Sequence, residues 1–341
     1  MKLVIYDTNW PLYRPLLERF LQTSWTISSG ANNIEWLLEQ LPGADAMIGL
    51  ALPPEARAVA RQLRVFLFPG AGVIQTAAED LPSGCHLCNV FEHEIPVAEY
   101  VLMVILMHCT RVMSYSARFR EGYWDGNGRA GGELHEEIYG KRLGLVGFGH
   151  IGQAVTLRAQ AVGLQVEAIR REPRTPIRPD QGIMLQRIGG PGDICGLFER
   201  SDFVVIACPL NDQTRESIGA RELACLQSHA LLINVARAEI IQEEPLFRAL
   251  ERKQFSAALD VWYRYPDTLD QPFFGSRFPL QQLQNVIATP HLSGWTHAMV
   301  ERRMCRIAEN LDRLQTEQPL QRVVMTGTWT PSLHDQDESR T

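Results

Sequence analysis

Residues 143–152 read Leu-Gly-Leu-Val-Gly-Phe-Gly-His-Ile-Gly. A short apolar run feeds Gly147-x-Gly149-x-x-Gly152, and the segment Gln153–Val162 that follows is compatible with a helix. That is a strand, a tight turn and a helix start. Gly147 makes the bend, Gly149 lets the main chain approach a pyrophosphate, and Gly152 lets helix and strand touch. His150 and Ile151 open the helix, whose first N–H groups and partial positive charge favour an anion. The stretch therefore predicts a dinucleotide-binding βαβ unit in a doubly wound α/β fold. A purely structural glycine turn is the competing reading.

The next strand bears on which dinucleotide. Gly163-Leu-Gln-Val-Glu-Ala-Ile169 is followed by Arg170 and Arg171, with Arg174 close behind. An acidic residue about 20 residues past the glycine turn binds the ribose hydroxyls of NAD. A carboxylate there would repel a 2′-phosphate, whereas guanidinium groups attract it and grip it with paired hydrogen bonds. This favours NADP over the alternative, NAD. The other reading makes these arginines a solvated loop with Glu172 as an internal partner. Glu167 comes three residues too early to serve as the ribose acid.

Composition narrows the class. The chain has 341 residues, 45% hydrophobic and 21% charged, with a formal net charge of −6. Such a length suits two domains. The negative balance argues against a nucleic-acid partner. Seven scattered cysteines fit a reducing, cytoplasmic setting. Cys85-x-x-Cys88 is the only close pair, and without a second pair or spaced histidines it is not a metal site. Met1–Asp7 begins a strand at once, so no signal peptide is expected. Val97–Cys109 is apolar but contains Glu99 and His108 and is too short to span a bilayer, so no membrane partner is expected.

Periodicity predicts strands at 2–7, 45–50 and 64–68 with helices at 12–22, 33–41 and 54–62 between them. Such alternation indicates a parallel sheet covered by helices. A long helix is expected at 96–119, followed by a glycine-rich loop at 122–132. A second α/β series carries strands at 143–147, 164–169, 203–207, 230–234, 256–260 and 286–289. A last helix, 296–315, returns to the first domain. The expected layout is a cofactor domain (99–291) inserted in a substrate domain (1–98 and 292–325), with a polar, disordered tail at 326–341.

Three strand ends carry chemistry, because ligands bind beyond the carboxyl ends of the strands in open α/β sheets. Ile233-Asn-Val-Ala-Arg237 places an arginine where it can hold a carboxylate or polarise a carbonyl. Thr289-Pro-His291 places a histidine, which titrates near neutral pH, on a rigid loop. Cys208-Pro209-Leu210 stops a strand at an edge from which a loop can cover the cofactor.

In this order the motifs resemble the D-isomer-specific 2-hydroxyacid dehydrogenases. The glycine turn, Cys208-Pro-Leu with Thr214, Asn234-x-x-Arg237, Ala258-Leu-Asp-Val261 and Pro290-His291 all fall in that family's pattern, over about residues 40–325. The resemblance implies a Rossmann cofactor domain inserted in a flavodoxin-like substrate domain. It implies Arg237 as the 2-oxo-acid binder and His291 as the acid/base. It gives the Gly70–Val73 loop, through Ala71 and Gly72, as a carboxylate holder, and Cys208, Pro209, Ala236 and Asp260 as further cofactor contacts. It implies a homodimer, with the 122–132 loop similar to the family's dimer arm. Arg171-Glu-Pro-Arg174 resembles the NADP-using glyoxylate/hydroxypyruvate reductases of the family. No metal is implied.

There are two departures. The family's Glu before the proline, which orients and charges the histidine, is here Tyr265, in Asp260-Val-Trp-Tyr-Arg-Tyr-Pro266. Loss of that carboxylate lowers the histidine's pKa, while a tyrosine can still hydrogen-bond the ring. Asp260 and Asp267 are in unsuitable register to replace it. Formate dehydrogenases of the superfamily also lack the Glu. Second, Ala238 replaces a family glycine, which matters only if the loop needs a positive φ. In Asn89-Val-Phe-Glu-His-Glu-Ile-Pro96, His93 is a candidate substrate contact, set against an exposed polar loop as the plainer reading. The expected activity is reduction of a small glyoxylate- or hydroxypyruvate-like 2-oxo acid by NADPH. A low-turnover NADP(H)-binding sensor and a formate-type dehydrogenase are the alternatives.

Overall fold

In the computed structural model, which describes residues 1–73, 76–124, 131–174, 182–266, 268 and 271–330, the glycine turn joins strand β6 (Arg142–Val146) to helix α5 (His150–Ala161). The chain divides into two compact units: Met1–Glu92 with the segment from Thr296 onward, and His93–Trp295.

The second unit is built on seven parallel strands. They are β6, β7 (Gln165–Ile169), β8 (Arg187–Gly189), β9 (Phe203–Ile206), β10 (Leu231–Asn234), β11 (Ser256–Leu259) and β12 (Val286–Ala288). Their spatial order is β12-β11-β10-β9-β6-β7-β8. Numbered from β6, that is the 3-2-1-4-5-6 order of the Rossmann fold with a seventh strand added, and its switch point lies between β6 and β9. Strands buried on both faces need an unbroken apolar run. Accordingly Leu143 and Leu145 of β6 face a core that includes Val101 and Val155, while Val146 joins the opposite core with Phe198 and Phe247. Helices α3 (Glu94–Thr110), α5, α6 (Ile194–Arg200), α7 (Ala220–Leu223) and α8 (Glu243–Glu251) supply those layers.

The first unit has β1 (Lys2–Tyr6), β2 (Thr26–Gly30), β3 (Ala46–Gly49), β4 (Val65–Leu67), β5 (His86–Cys88) and β13 (Val323–Thr326) in the order β13-β5-β4-β3-β1-β2. Its five parallel strands have the flavodoxin-like order 2-1-3-4-5, and β13 adds an antiparallel edge. Leu3 and Ile5 pack on α1 (Trp10–Phe20) and α9 (His297–Gln315), while Val4 faces the side covered by α2 (Ile34–Gln40).

Several expectations are corrected. The single helix expected at 96–119 is two, α3 and α4 (Val112–Arg120), bent by 60° where Arg111 adopts φ 52°. No glycine or proline marks that break. The expected helix at 54–62 is a 3-10 segment, Pro54–Val59. Strands β2, β5, β8 and β13 were not foreseen; they are short or lie at or near sheet edges, where alternation is weak. The tail does not begin at 326. Gly327 N donates to Cys85 O, and Trp329 N donates to Leu81 O, pinning the chain to the first unit; residues 331–341 lie outside the described residues. The two units divide at 92/93 and 295/296, beside the expected 98/99 and 291/292. Cys85 and Cys88 face opposite cores of the first sheet, so they cannot form a dithiol pair. No single helix among the described residues is long and apolar enough to cross a membrane.

Candidate active site

The glycine turn is shaped by contacts that side chains would violate. Gly147 has φ 103°, and a Cβ there would lie 2.5 Å from the Cys208 nitrogen across the β6/β9 switch point. A Cβ at Gly152 would lie 2.7 Å from the Gly147 oxygen. At Gly149, in contrast, a Cβ would meet nothing within 4 Å. The middle glycine therefore borders open space at the start of α5. The first intrahelical bond runs from Gln153 N to Gly149 O, which places His150 and Ile151 in the first turn of α5, at the helix end that favours an anion. These residues fit a dinucleotide pyrophosphate.

Arg170 follows β7 directly. Its N–H donates to Gly189 O and its Nη2 donates to Pro173 O, 3.3 Å away, while its Nε is buried without a partner. Arg171 and Arg174 are exposed, and among the described residues no ion pair joins any of the three to Glu172. Glu167 is occupied by Arg200, 3.1 Å away. The β7 end thus offers cations with an unmet donor, and the strand's own carboxylate, Glu167, is taken up by Arg200. Cys208 is half-buried, and burial pushes its thiol up to about 11. Exposed Pro209 is held in a turn by the Thr214 hydroxyl, which donates to its carbonyl. Ala236 is buried, and its N–H donates to Asn234 Oδ1.

Three neighbouring strands, β10, β11 and β12, end at one edge of the sheet and carry Arg237, the 260–265 segment and His291. Arg237 Nη1 donates to Ala236 O at 2.7 Å, and its own carbonyl accepts from Asn234 Nδ2. Ala238 is buried and starts a 3-10 turn without a positive φ, so a methyl replaces the family's glycine without strain. His291 has φ 56°, a left-handed conformation in which histidine is one of the commoner non-glycine residues. The Tyr265 hydroxyl lies 2.9 Å from His291 Nδ1 and also accepts from Trp262 N at 3.3 Å. His291 presents surface to solvent, yet protein atoms crowd its ring, and that crowding lowers its pKa. Asp260 opposes this shift and Arg237 reinforces it. Burial raises the pKa of Tyr265, so it stays a neutral phenol.

Asp260, expected as a cofactor contact, is hydrogen-bonded to its own chain. It is fully buried, and both carboxylate oxygens accept from the loop that carries His291, at Thr289 Oγ1, Leu292 N and Ser293 N. Sequence reasoning missed this clamp, although an aspartate just past an apolar strand was a visible signal. Asp267 lies outside the described residues.

The two-unit fold has counterparts among solved structures. A family model described as "D-isomer specific 2-hydroxyacid dehydrogenase, NAD binding domain" matches residues 102–293. The chain belongs to the D-isomer specific 2-hydroxyacid dehydrogenase family. It is 30% identical over 289 residues to the D-3-phosphoglycerate dehydrogenase of Methanocaldococcus jannaschii, a match covering 82% of this chain but 51% of that enzyme. The chain therefore spans about half the length of that relative. It is also 30% identical over 250 residues to the hydroxypyruvate reductase of Thermotoga maritima, covering 72% and 74% of the two chains. A solved family member from Aeromonas salmonicida superposes with a TM-score of 0.78 at 21% identity, over 95% of this chain and 98% of that one. Family members use NAD or NADP.

In the first unit, the loop after β4 is held at its start, at Gly70 and Ala71. Val90 N donates to Gly70 O, and Asn89 Nδ2 donates to Ala71 O at 2.7 Å. Gly72 is exposed beyond it. Glu92 is not a free polar side chain: its oxygens lie 3.3 Å from both Arg302 and Arg306. His93, in the second unit, precedes the first residue of α3 without a capping bond from its side chain and is half-buried.

Proposed function

We propose that this dehydrogenase-family chain reduces a small 2-oxo acid, of the glyoxylate or hydroxypyruvate kind, with NADPH in preference to NADH. The observation that carries the reading is the delivery of Arg237 and His291 to one sheet edge, with the guanidinium charge felt by the imidazole. The bound nicotinamide supplies the hydride. Arg237 holds the carboxylate and draws electron density from the carbonyl oxygen. His291 gives that oxygen a proton, so oxo acid, hydride and proton balance to the 2-hydroxy acid. Tyr265 takes the place of a carboxylate partner. As donor and acceptor in one group, it donates to Nδ1 of the neutral ring and accepts from Nδ1 of the imidazolium.

Gly147, Gly149, His150, Ile151 and Gly152 are the proposed pyrophosphate cradle, with Cys208, Pro209 and Ala236 lining the same sheet edge. Arg170, with its unmet Nε donor, and exposed Arg171 and Arg174 favour the 2′-phosphate. Asp260 supports the site from beneath it. The Ala71 and Gly72 amides are the candidate carboxylate holders of the first unit, and His93 is a candidate substrate contact. A homodimer is proposed from the exposed apolar side chains of α3 and α4, among them Met103, Leu106, Val112, Met113 and Phe119. Steady-state assays with NADPH and NADH against a panel of 2-oxo acids test the reading. Tight NADPH binding with no turnover on any acid supports the sensor alternative instead, and NADP reduction by formate supports the formate-type one.

A further inference from the structure

We infer that Tyr100, a buried residue of α3, is a positioning residue for His291, acting through the Thr289 hydroxyl and the Asp260 carboxylate on the loop that carries the imidazole. The inference rests on the reading of His291 as the proton donor.

The geometry forms a directed chain. Asp260 is 0% exposed and its carboxylate only accepts. Thr289 Oγ1, 2.7 Å from Asp260 Oδ1, therefore spends its one proton on the carboxylate. The Tyr100 hydroxyl, 2.7 Å from the same Thr289 oxygen, must then be the donor to it. Leu292 N donates to Asp260 Oδ1, and Ser293 N donates to Oδ2, each at 2.9 Å. The carboxylate thus holds residues on both sides of His291. Trp262 Nε1 donates to Thr289 O at 2.8 Å, and His291 N donates to the same carbonyl at 3.0 Å. Removing one donor from a buried chain of this kind weakens its neighbours, because aligned hydrogen bonds polarise one another.

The arrangement also bears on charge. The groups felt by the imidazole are Asp260, which favours its protonated form, and Arg237, which disfavours it. Tyr265, hydrogen-bonded to Nδ1, stands in turn in the fields of Arg237, Glu239 and Asp260. Tyr100 itself stays protonated, since burial pushes its phenol up to about 12. Donation from Tyr100 through Thr289 disperses part of the Asp260 charge. Without it, Asp260 acts more strongly on the ring while the loop is held less firmly.

The test uses the full chain and Tyr100→Phe, with Thr289→Val as the second break in the chain. The His291 Cε1 proton is followed by NMR as pH is varied, its signal assigned by its loss in His291→Ala. Both variants are expected to raise the titration midpoint by about half a pH unit, with melting curves and NADPH affinity near wild type. With glyoxylate and NADPH, the alkaline limb of the rate profile moves with the NMR midpoint. The low-pH plateau of kcat falls several-fold, and KM for NADPH stays within twofold. Folded variants whose His291 titrates as in wild type overturn the inference. An NMR shift in a chain whose wild type turns over no 2-oxo acid supports the relay and overturns the proposed reaction.

Discussion

The Tyr265 hydroxyl sits 2.9 Å from Nδ1 of His291 and takes the Trp262 N–H at the same time. A carboxylate in that place would only accept, and would hold the ring as imidazolium. A phenol serves either charge state but stabilises neither by charge. The imidazole is left to the burial that lowers its pKa, with Arg237 on the same side of the balance and Asp260 against it.

With the imidazolium as the proposed proton donor, reduction of the oxo acid is expected to be fastest at acid pH. It should decline as pH rises through a His291 pKa below the ordinary histidine value. Tyr265→Glu restores a carboxylate, raises that pKa and moves the decline to higher pH. Tyr265→Phe removes the hydrogen bond, leaves the decline at acid pH and lowers kcat about tenfold through loss of ring orientation. A pH–rate profile identical in all three proteins would contradict this.

His291→Ala should cost about 10²- to 10⁴-fold in reduction of the oxo acid, the usual contribution of a positioned acid, while fluorescence titration shows NADPH binding unchanged. If turnover survives intact, the proton comes from elsewhere.

Arg170→Asp with Arg171→Ser should reverse the cofactor ratio. The replaced charges repel a 2′-phosphate and accept ribose hydroxyls. The comparison is kcat/KM with NADPH over kcat/KM with NADH, and an unmoved ratio refutes the arginine argument.

The first and middle glycines of the cradle, Gly147 and Gly149, should fail differently. Gly147→Ala forces a Cβ to 2.5 Å from Cys208 N at φ 103° and is expected to destabilise the fold by about 3 kcal/mol. Gly149→Ala meets no protein atom within 4 Å, so thermal melting should be near wild type while NADPH affinity falls. Equal losses of stability in both variants would mean that the space beside Gly149 is not a ligand site.

Leu106→Glu, on the exposed apolar side of α3, should turn a dimer into a monomer in analytical ultracentrifugation. A wild-type chain that sediments as a monomer removes the homodimer from consideration.

The α/β class, the glycine turn and the strand ends bearing Arg237 and His291 were legible in the sequence, because buried parallel strands must be continuous apolar runs and sharp turns must be glycine. Strands β2 and β13 were not, since a part-exposed edge strand carries no such run. The bend at Arg111 was hidden as well, for a left-handed arginine has no compositional mark. Tyr265 was visible as a departure, but whether it reached the ring was a question of distance.

Residue order was enough to determine the glycine turn between a strand and a helix, the cations after β7 and the strand ends that carry Arg237 and His291. Tertiary structure alone decided what surrounds them: that Asp260 turns inward to grip the loop, that Tyr100 reaches Thr289 across 189 positions of sequence, and that Tyr265 faces Nδ1. Those contacts join segments distant along the chain, and their hydrogen-bond directions follow from which groups the fold brings together, which no spacing of residues records.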